Sequence, residues 1–432
     1  MDTQIKRVQL FNASCVALVV TALTFATRAG MIDPWIQEFG LNATQVGWIV
    51  GTAFWGFTLA MVIGGPLVDV IGMNRILIFA FTGHVIGIVL TIIATGFWSL
   101  YISTLFIGIS NGMVEAACNP LIATIYPDDK TKRLNQFHVW FPGGIVIGGL
   151  IVYFLNSIGY GWRIHMAIML LPTLLYGLMF MKLTFPKTER VLAGVSAKEM
   201  YRSVVTPLFI FMACCMIMTA MTELGTNQWI AALLENVGVP AILLLVWVSG
   251  IMAVGRQAAG PIVHRLSPSG VLLFSAILAG IGLILLSYSQ GYWSFAAAAV
   301  FALGITYFWP TMLGFVSENV PKSGALGLAI MGGIGFLGGA IAQPALGGIF
   351  DLQTSLALPG EYSLEALREA MEGTAEWNIL AQAKLIGGKN ALRYVAVLPA
   401  ILTLAFGFLY FTRHRRQTEK LDFKLEPEVG KD

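Results

Sequence analysis

The chain has 432 residues, of which 57% are hydrophobic and only 11% charged, and its mean hydropathy is +0.77. Soluble domains carry about 25% charged residues, so this composition excludes a soluble enzyme or binding module and points to a polytopic membrane protein. A net charge of +3 is too small to argue for a nucleic-acid partner.

A membrane helix needs about 20 mostly apolar residues. Twelve such segments follow along the chain, at about 9–32, 45–69, 76–96, 98–126, 136–157, 162–184, 206–233, 239–263, 270–290, 293–317, 323–350 and 391–412. The first run has no small-residue cleavage site after it and is expected to be a retained helix, not a signal peptide. The four cysteines, Cys15, Cys118, Cys214 and Cys215, fall in apolar segments without metal-ligand spacing and read as small apolar residues.

An even number of spans puts both termini on one side. With the termini cytoplasmic, the inner side carries 19 Lys and Arg against five outside, which fixes the expected orientation by the positive-inside rule. A long loop after the sixth span divides the chain into an N-terminal bundle (1–185), a cytoplasmic linker (186–205) and a C-terminal bundle (206–432) with an outer loop at 351–390 and a cytoplasmic tail. The halves resemble one another. GGPLVDVIGMNRIL (64–77) aligns with AGPIVHRLSPSGVL (259–272), each after the second helix of its half, and LFNASCVALVVTALTF (10–25) aligns with LFIFMACCMIMTAMTE (208–223). The expected fold is all-α, with twelve transmembrane helices in two pseudo-symmetric six-helix bundles and a solute site near the midplane between them, as in secondary transporters. Within the outer loop, SLEALREAMEGTAEWNIL reads as an amphipathic helix with Ser363 as its N-cap.

Polar residues inside the apolar runs are the candidates for function, because a charged group in the hydrocarbon region costs at least about 2.5 kcal/mol. Asn111, Glu115 and Asn119 recur every four residues on helix four, on one face. Helix seven carries Thr219, Thr222, Glu223, Thr226 and Asn227; helix one carries Ser14, Thr21, Thr24 and Arg28; helix five begins with Asn135 and His138. Such stripes must line a water-accessible cavity or pair with another helix. A carboxylate such as Glu115 can be carried neutral through low dielectric and lose its proton on the other side, which is what a proton-coupled symporter requires. The alternative is a permanent ion pair with Arg28 or Arg256 that only fixes helix packing. Glu223 carries the same two readings. His138 is a proton relay or a structural histidine, and Arg256 a solute ligand or a scaffold anchor. Trp55, Phe141, Tyr307 and Trp309 offer flat faces to a sugar ring or simply pack in the bundle. The paired glycines of helices five and eleven permit close helix crossing and read as gating seams.

Longer motifs carry a resemblance. GPLVDVIGMNR (65–75) resembles the loop between helices two and three of the major facilitator superfamily, in which Gly65, Asp69, Gly72 and Arg75 would form a cytoplasmic latch. VEAACNP (114–120), RLNQFHVWFPGGIVIGG (133–149), VGRQAAGPI (254–262) and MGGIGFLGGAIAQPALGGIFD (331–351) resemble the fucose permease-like sugar symporters of that superfamily. The resemblance implies that Glu115 is the proton-linked acid and Asn119 a sugar-side polar group. Where those symporters have an acid in helix one, this chain has Arg28.

These features lead to the expectation of a proton-coupled symporter that imports a monosaccharide or related polyol by alternating access, as a monomer in a bacterial inner membrane. Sodium is the alternative coupling ion. The alternative solute is a sugar acid or other small organic anion clamped by Arg28 and Arg256. Arg28, Trp55, Asn111, Asn119, Asn135, His138, Phe141, Asn227, Arg256, Tyr307 and Trp309 are the expected solute contacts, and Glu115 and Glu223 the coupling acids. No metal-spaced His/Asp cluster or nucleophile elbow occurs, so neither an enzyme nor a bound cofactor is expected.

Overall fold

The computed structural model describes residues 6–126, 133, 136–187, 202–257, 259–320, 323–367 and 370–425. Asn135, the side chain of Asp69 and most of the linker expected at 186–205 lie outside the described residues. Every regular element among the described residues is helical. In the first half these are α1 (Arg7–Ala29), α2 (Ile32–Phe39), α3 (Ala43–Ile71), α4 (Met73–Ile92), α5 (Phe97–Ile125), α6 (Trp140–Ser157), α7 (Trp162–Ile168) and α8 (Leu170–Phe180). The second half begins with α9 (Pro207–Ala220), a π-helical turn (Met221–Gly225) and α10 (Thr226–Leu233). It continues with α11 (Ile242–Gln257), α12 (Ala259–Tyr288), α13 (Trp293–Ile305), α14 (Phe308–Asn319), α15 (Gly324–Ala357), α16 (Leu364–Leu367), α17 (Ala375–Val395) and α18 (Val397–Leu425). Eleven helical stretches are long and apolar enough to cross a membrane, and the shorter apolar helix Ile242–Arg256 occupies the place of the eighth span. Together they account for the twelve expected spans.

The internal repeat is visible in the backbone. Gly72, between α3 and α4, has φ 89° and ψ 152°, a conformation that suits a residue without a Cβ. The residue aligned with it in the second half is Ser267, which adopts φ 59° and ψ 156° and breaks α12 just before Pro268. An L-residue rarely takes a positive φ. The same turn is therefore made at the same place in both copies, although only one copy supplies a glycine.

The two halves meet along α3 against α15 and α6 against α11. Contact is tightest on the face opposite the termini, called distal below. A Cβ on Gly47 would lie 2.5 Å from the Gln343 carbonyl oxygen, and one on Gly347 would collide with the Ala43 carbonyl. Toward the termini the same seam loosens: Gly332 has nothing within 4 Å of an added Cβ, and Gly333 has only Val62, 3.7 Å away. Two polar ties also cross the halves distally. Asp351 of α15 accepts from Ala43 N (3.2 Å), Thr44 N (3.0 Å) and Thr44 Oγ1 (3.1 Å), placing a carboxylate on the positive end of α3. Asn42 and Gln45 complete that helix start with a reciprocal capping box. Lys384 of α17 pairs with Asp33 of α2 at 3.2 Å.

The segment 351–390 differs from expectation. It is not a loop carrying one amphipathic helix at 363–380. α15 continues unbroken to Ala357 over 34 residues, about 50 Å at the α-helical rise, against a hydrocarbon core of about 30 Å. Ser363 does accept from Ala366 N (3.2 Å), but the helix it starts ends at Leu367. A new helix begins at Ala375, where Thr374 accepts from Trp377 N (3.2 Å). The spans on either side thus extend past the bilayer as a helical hairpin closed by a small apolar cluster of Leu358, Leu367, Leu380 and Ala383. Charged residues end the apolar run at 350 without ending the helix, because in water they are compatible with it.

Candidate functional site

A cavity lies between the halves. Phe25 of α1 and Phe141, Pro142 and Ile145 of α6 face Glu223 and Leu224 of the π turn, Asn227 and Gln228 of α10, and Leu245, Ser249, Met252 and Arg256 of α11. Its free space of about 30 Å³ holds a few waters, so a solute of sugar size enters only as side chains part. The π turn has a local reason to be here. One extra residue per turn bulges the helix between Ala220 and Thr226 and presents Glu223 toward α11, a use of π turns common at functional sites.

Glu223 and Arg256 are partners. Arg256 Nη2 donates to Glu223 Oε1 at 3.2 Å, and Arg256 Nε donates to the Thr306 carbonyl at 3.2 Å. Tyr307 donates its hydroxyl to the Gly255 carbonyl at 3.0 Å, so it steadies the helix that carries Arg256 and does not line the cavity. Around this pair, several buried polar atoms have no hydrogen-bond partner among the described residues: Asn227 Oδ1, Gln228 Oε1, Ser249 Oγ and Thr226 Oγ1. Buried polar groups are normally satisfied, so a group of orphans around one cavity marks where a polar ligand or water belongs.

Arg28 is not among the residues that line the cavity, but it is a further buried group without a hydrogen-bond partner among the described residues. Its residue is 1% exposed, and Nε, Nη1 and Nη2 all lack an acceptor. Its guanidinium lies 4.8 Å from the centre of the Phe25 ring, and Phe25 walls the cavity. A desolvated cation–π contact is worth about 2 kcal/mol or more, against the roughly 3–5 kcal/mol lost when a buried charge has no partner.

A second cluster lies on the first half. Glu115 has no cation within ion-pair distance among the described residues. Asn119 Nδ2 donates to Glu115 Oε2 at a long 3.5 Å. Asn119 Oδ1 then accepts from His138 Nε2 at 3.1 Å. His138 is within electrostatic reach of Arg256, so this chain of groups leads from Glu115 to the cavity's ion pair across the interface.

Comparisons with known proteins supply the family of this fold. The family model of the Major Facilitator Superfamily matches residues 14–343. The chain belongs to the major facilitator superfamily. Among curated relatives, a D-xylose transporter of Levilactobacillus brevis is 26% identical over 39% of this chain and 38% of its own length. A probable chloroplastic anion transporter of Arabidopsis thaliana is 26% identical over 34% of this chain and 28% of its own. The matched region thus spans well under half of each of these relatives. Among solved structures, a bacterial homologue of the human lysosomal transporter Spinster, inward-facing and occupied, superposes with a TM-score of 0.75 at 17% identity, over 94% of this chain and 97% of that one. Membership in this superfamily sets the chain among multi-pass transport proteins and apart from enzymes.

Within this major facilitator fold the remaining expected site residues are dispersed. Asn111 is fully buried and turned away from the cavity: its Oδ1 accepts from His84 Nε2 (2.8 Å), its Nδ2 donates to Thr24 Oγ1 (2.9 Å), and Tyr176 completes the network at His84 Nδ1 (2.9 Å). Every polar atom of the Asn111 amide is engaged inside the first half. Trp55 is half-buried against the core, and Trp309 packs edge-on to Phe336, 5.4 Å between centres; neither lines the cavity. Gly72 makes the turn described above, Gly65 lies within α3, and Arg75 is exposed. Sequence reasoning missed Phe25, Gln228 and Ser249. Gln228 directly follows Asn227, and Ser249 interrupts the run ILLLVWVSGIM, so the signal was present but weak.

Proposed function

We propose that this chain is a secondary transporter for a small organic anion of monosaccharide size, a sugar acid being the best fit, moved by alternating access through the cavity between its halves. Arg28 carries this reading: a buried guanidinium with no acceptor among the described residues on any of its three nitrogens has a natural counterpart in a solute carboxylate, which can bind it in two parallel hydrogen bonds. Arg256 does not serve equally, because Glu223 and the Thr306 carbonyl already occupy it. The orphaned oxygens of Asn227, Gln228 and Ser249 suit the hydroxyls of such a solute. Glu115 is the proposed coupling site, since a proton is the counter-charge available to a carboxylate with no cation at hand among the described residues. The proposed orientation has both termini cytoplasmic, the protein working as a monomer in a bacterial inner membrane.

A second reading, uptake of a neutral sugar or polyol, draws support from Phe25 and Phe141, whose rings face the cavity, and from likeness to a D-xylose transporter. Proteoliposome uptake separates the two. The assay offers labelled hexuronates, aldonates and neutral hexoses under imposed pH or sodium gradients, to wild type and Arg28→Gln. The anion reading expects wild type to concentrate an acidic solute, and Arg28→Gln to raise its KM by roughly tenfold to a hundredfold, from the 1.5–3 kcal/mol of a hydrogen bond to a charged group. Concentration of neutral hexoses alone, unaffected by the substitution, would replace the anion reading with the neutral one.

A further inference from the structure

On the distal face three charged side chains converge outside the solute cavity. Asp33 belongs to α2 in the first half, Glu235 to the turn after α10 in the second, and Lys384 to the hairpin helix α17. Lys384 Nζ lies 3.2 Å from Asp33 Oδ1 and 3.6 Å from Glu235 Oε2. We propose that these three residues form a proton-sensitive clasp on the distal ends of the two halves: two carboxylates, one from each half, share a single ammonium, and the clasp holds most firmly when one of them carries a proton. Fully ionised, the cluster has a surplus negative charge and two acids that repel across the seam. With one proton it is neutral, and the protonated acid donates to the other.

Among the described residues, the surroundings supply no other counter-charge. On α2, Glu38 is engaged by Trp162 Nε1 (2.6 Å) and Arg163 Nη1 (2.6 Å). On α15, Asp351 is held by the start of α3. Arg28 on α1 makes no ion pair among the described residues, and Glu223 is paired with Arg256. Lys389 and Arg393 lie further along α17; Arg393 bonds Ser287 and Asn390. Neither enters the electrostatics of Glu235, which come from Asp33 and Lys384. The nearby Asp33 charge pushes Glu235 up to about 7 against the pull of Lys384. When the halves part, Asp33 withdraws while Lys384 stays beside Glu235 in the second half, so Glu235 returns to the ordinary carboxylate range or below it. The clasped state therefore binds the proton more tightly than the parted one. Its advantage is complete below the ordinary carboxylate range and is lost as pH rises through about 7, by about tenfold in the clasped-to-parted ratio per pH unit between the two values. In the orientation proposed above the clasp faces the outside, so external acid would hold the outer side shut whatever the solute is.

The test uses the full chain in lipid nanodiscs with Cys214→Ser, spin labels on the exposed positions Gln37→Cys and Asn378→Cys, and Glu115→Gln to silence that acid. Double electron–electron resonance is recorded from pH 5.5 to 8.5. The expected result is a short-distance population that falls by about tenfold or more across this range and becomes independent of pH in Glu235→Gln. Glu235 has a side chain 40% exposed, so its substitution is compatible with folding, and Asp33→Asn provides a second variant with the same expected loss of pH dependence. A wild-type population indifferent to pH, or a pH profile unchanged in both variants, would overturn the clasp. Because the readout is a distance and not uptake, either result is separate from the fate of the transport reading.

Discussion

Glu115 and Glu223 are the same residue type in the same kind of apolar helix, one in each half of the molecule, and the structure gives them opposite company. Glu223 faces Arg256 at 3.2 Å, and Arg256 is fixed further by a backbone carbonyl. Among the described residues Glu115 has only an amide at 3.5 Å, which leads to His138. A paired buried acid is a neutral unit that need not change charge while the halves move. An unpaired one must exchange its charge with something that arrives and leaves. The difference teaches that an intramembrane carboxylate becomes a candidate for coupling through the absence of a partner, not through burial alone.

The largest effect is expected where that distinction is broken on the paired side. Arg256→Leu should strand Glu223 and lower stability by about 3–5 kcal/mol, read as a drop in the detergent-solubilised Tm. The double variant Arg256→Leu with Glu223→Gln should recover much of the loss; if it is as unstable as the single variant, the two residues are not a mutually neutralising pair. On the seam, Gly347→Ala places a methyl against the Ala43 carbonyl, and overpacking of this kind costs about 1–3 kcal/mol. It should shift the resting state toward a parted distal face, seen as increased labelling of a distal cysteine, whereas Gly332→Ala, with open space around it, should not.

Glu115→Gln should leave stability within about 1 kcal/mol, because it strands no cation. It should still exchange solute between the two sides of a vesicle while failing to concentrate it under a pH gradient. A variant that concentrates solute normally would move coupling elsewhere, with Glu223 the next residue to test. The smallest effect is expected at His138→Gln, which removes one hydrogen bond to Asn119, worth about 0.5–1.5 kcal/mol. It sharpens the comparison through its pH profile: a relay requires that the pH dependence of uptake change, while a purely structural histidine would alter only stability.

Much of this was legible in the residues. Helices require long apolar runs, and the runs are there. The charges that interrupt them, Arg28, Glu115, Glu223 and Arg256, name themselves because nothing else in a span costs as much. Their partners were not legible. The spacing Asn111, Glu115, Asn119 reads as one stripe, but four residues turn a helix through about 400° at 3.6 residues per turn. Each step thus drifts by about 40°, and the stripe by about 80° from end to end. That drift is enough for Asn111 to enter the His84–Tyr176 network while Glu115 and Asn119 face another way. The hairpin beyond residue 350 was hidden for a different reason: hydropathy reports the solvent around a helix and not the helix itself.

The sequence by itself determined the fold class, the number of spans and the aligned repeat segments at 64–77 and 259–272, because these follow from apolar length and local pattern; that Gly72 and Ser267 both take a positive φ came from the structure. Only the tertiary structure decided which charges are satisfied. Whether Arg28 meets an acceptor, whether Glu223 or Glu115 meets Arg256, and whether Asp33 and Glu235 converge on Lys384 depend on how helices hundreds of residues apart are rotated and docked. Electrostatic energy in a low-dielectric interior changes steeply over those few ångströms.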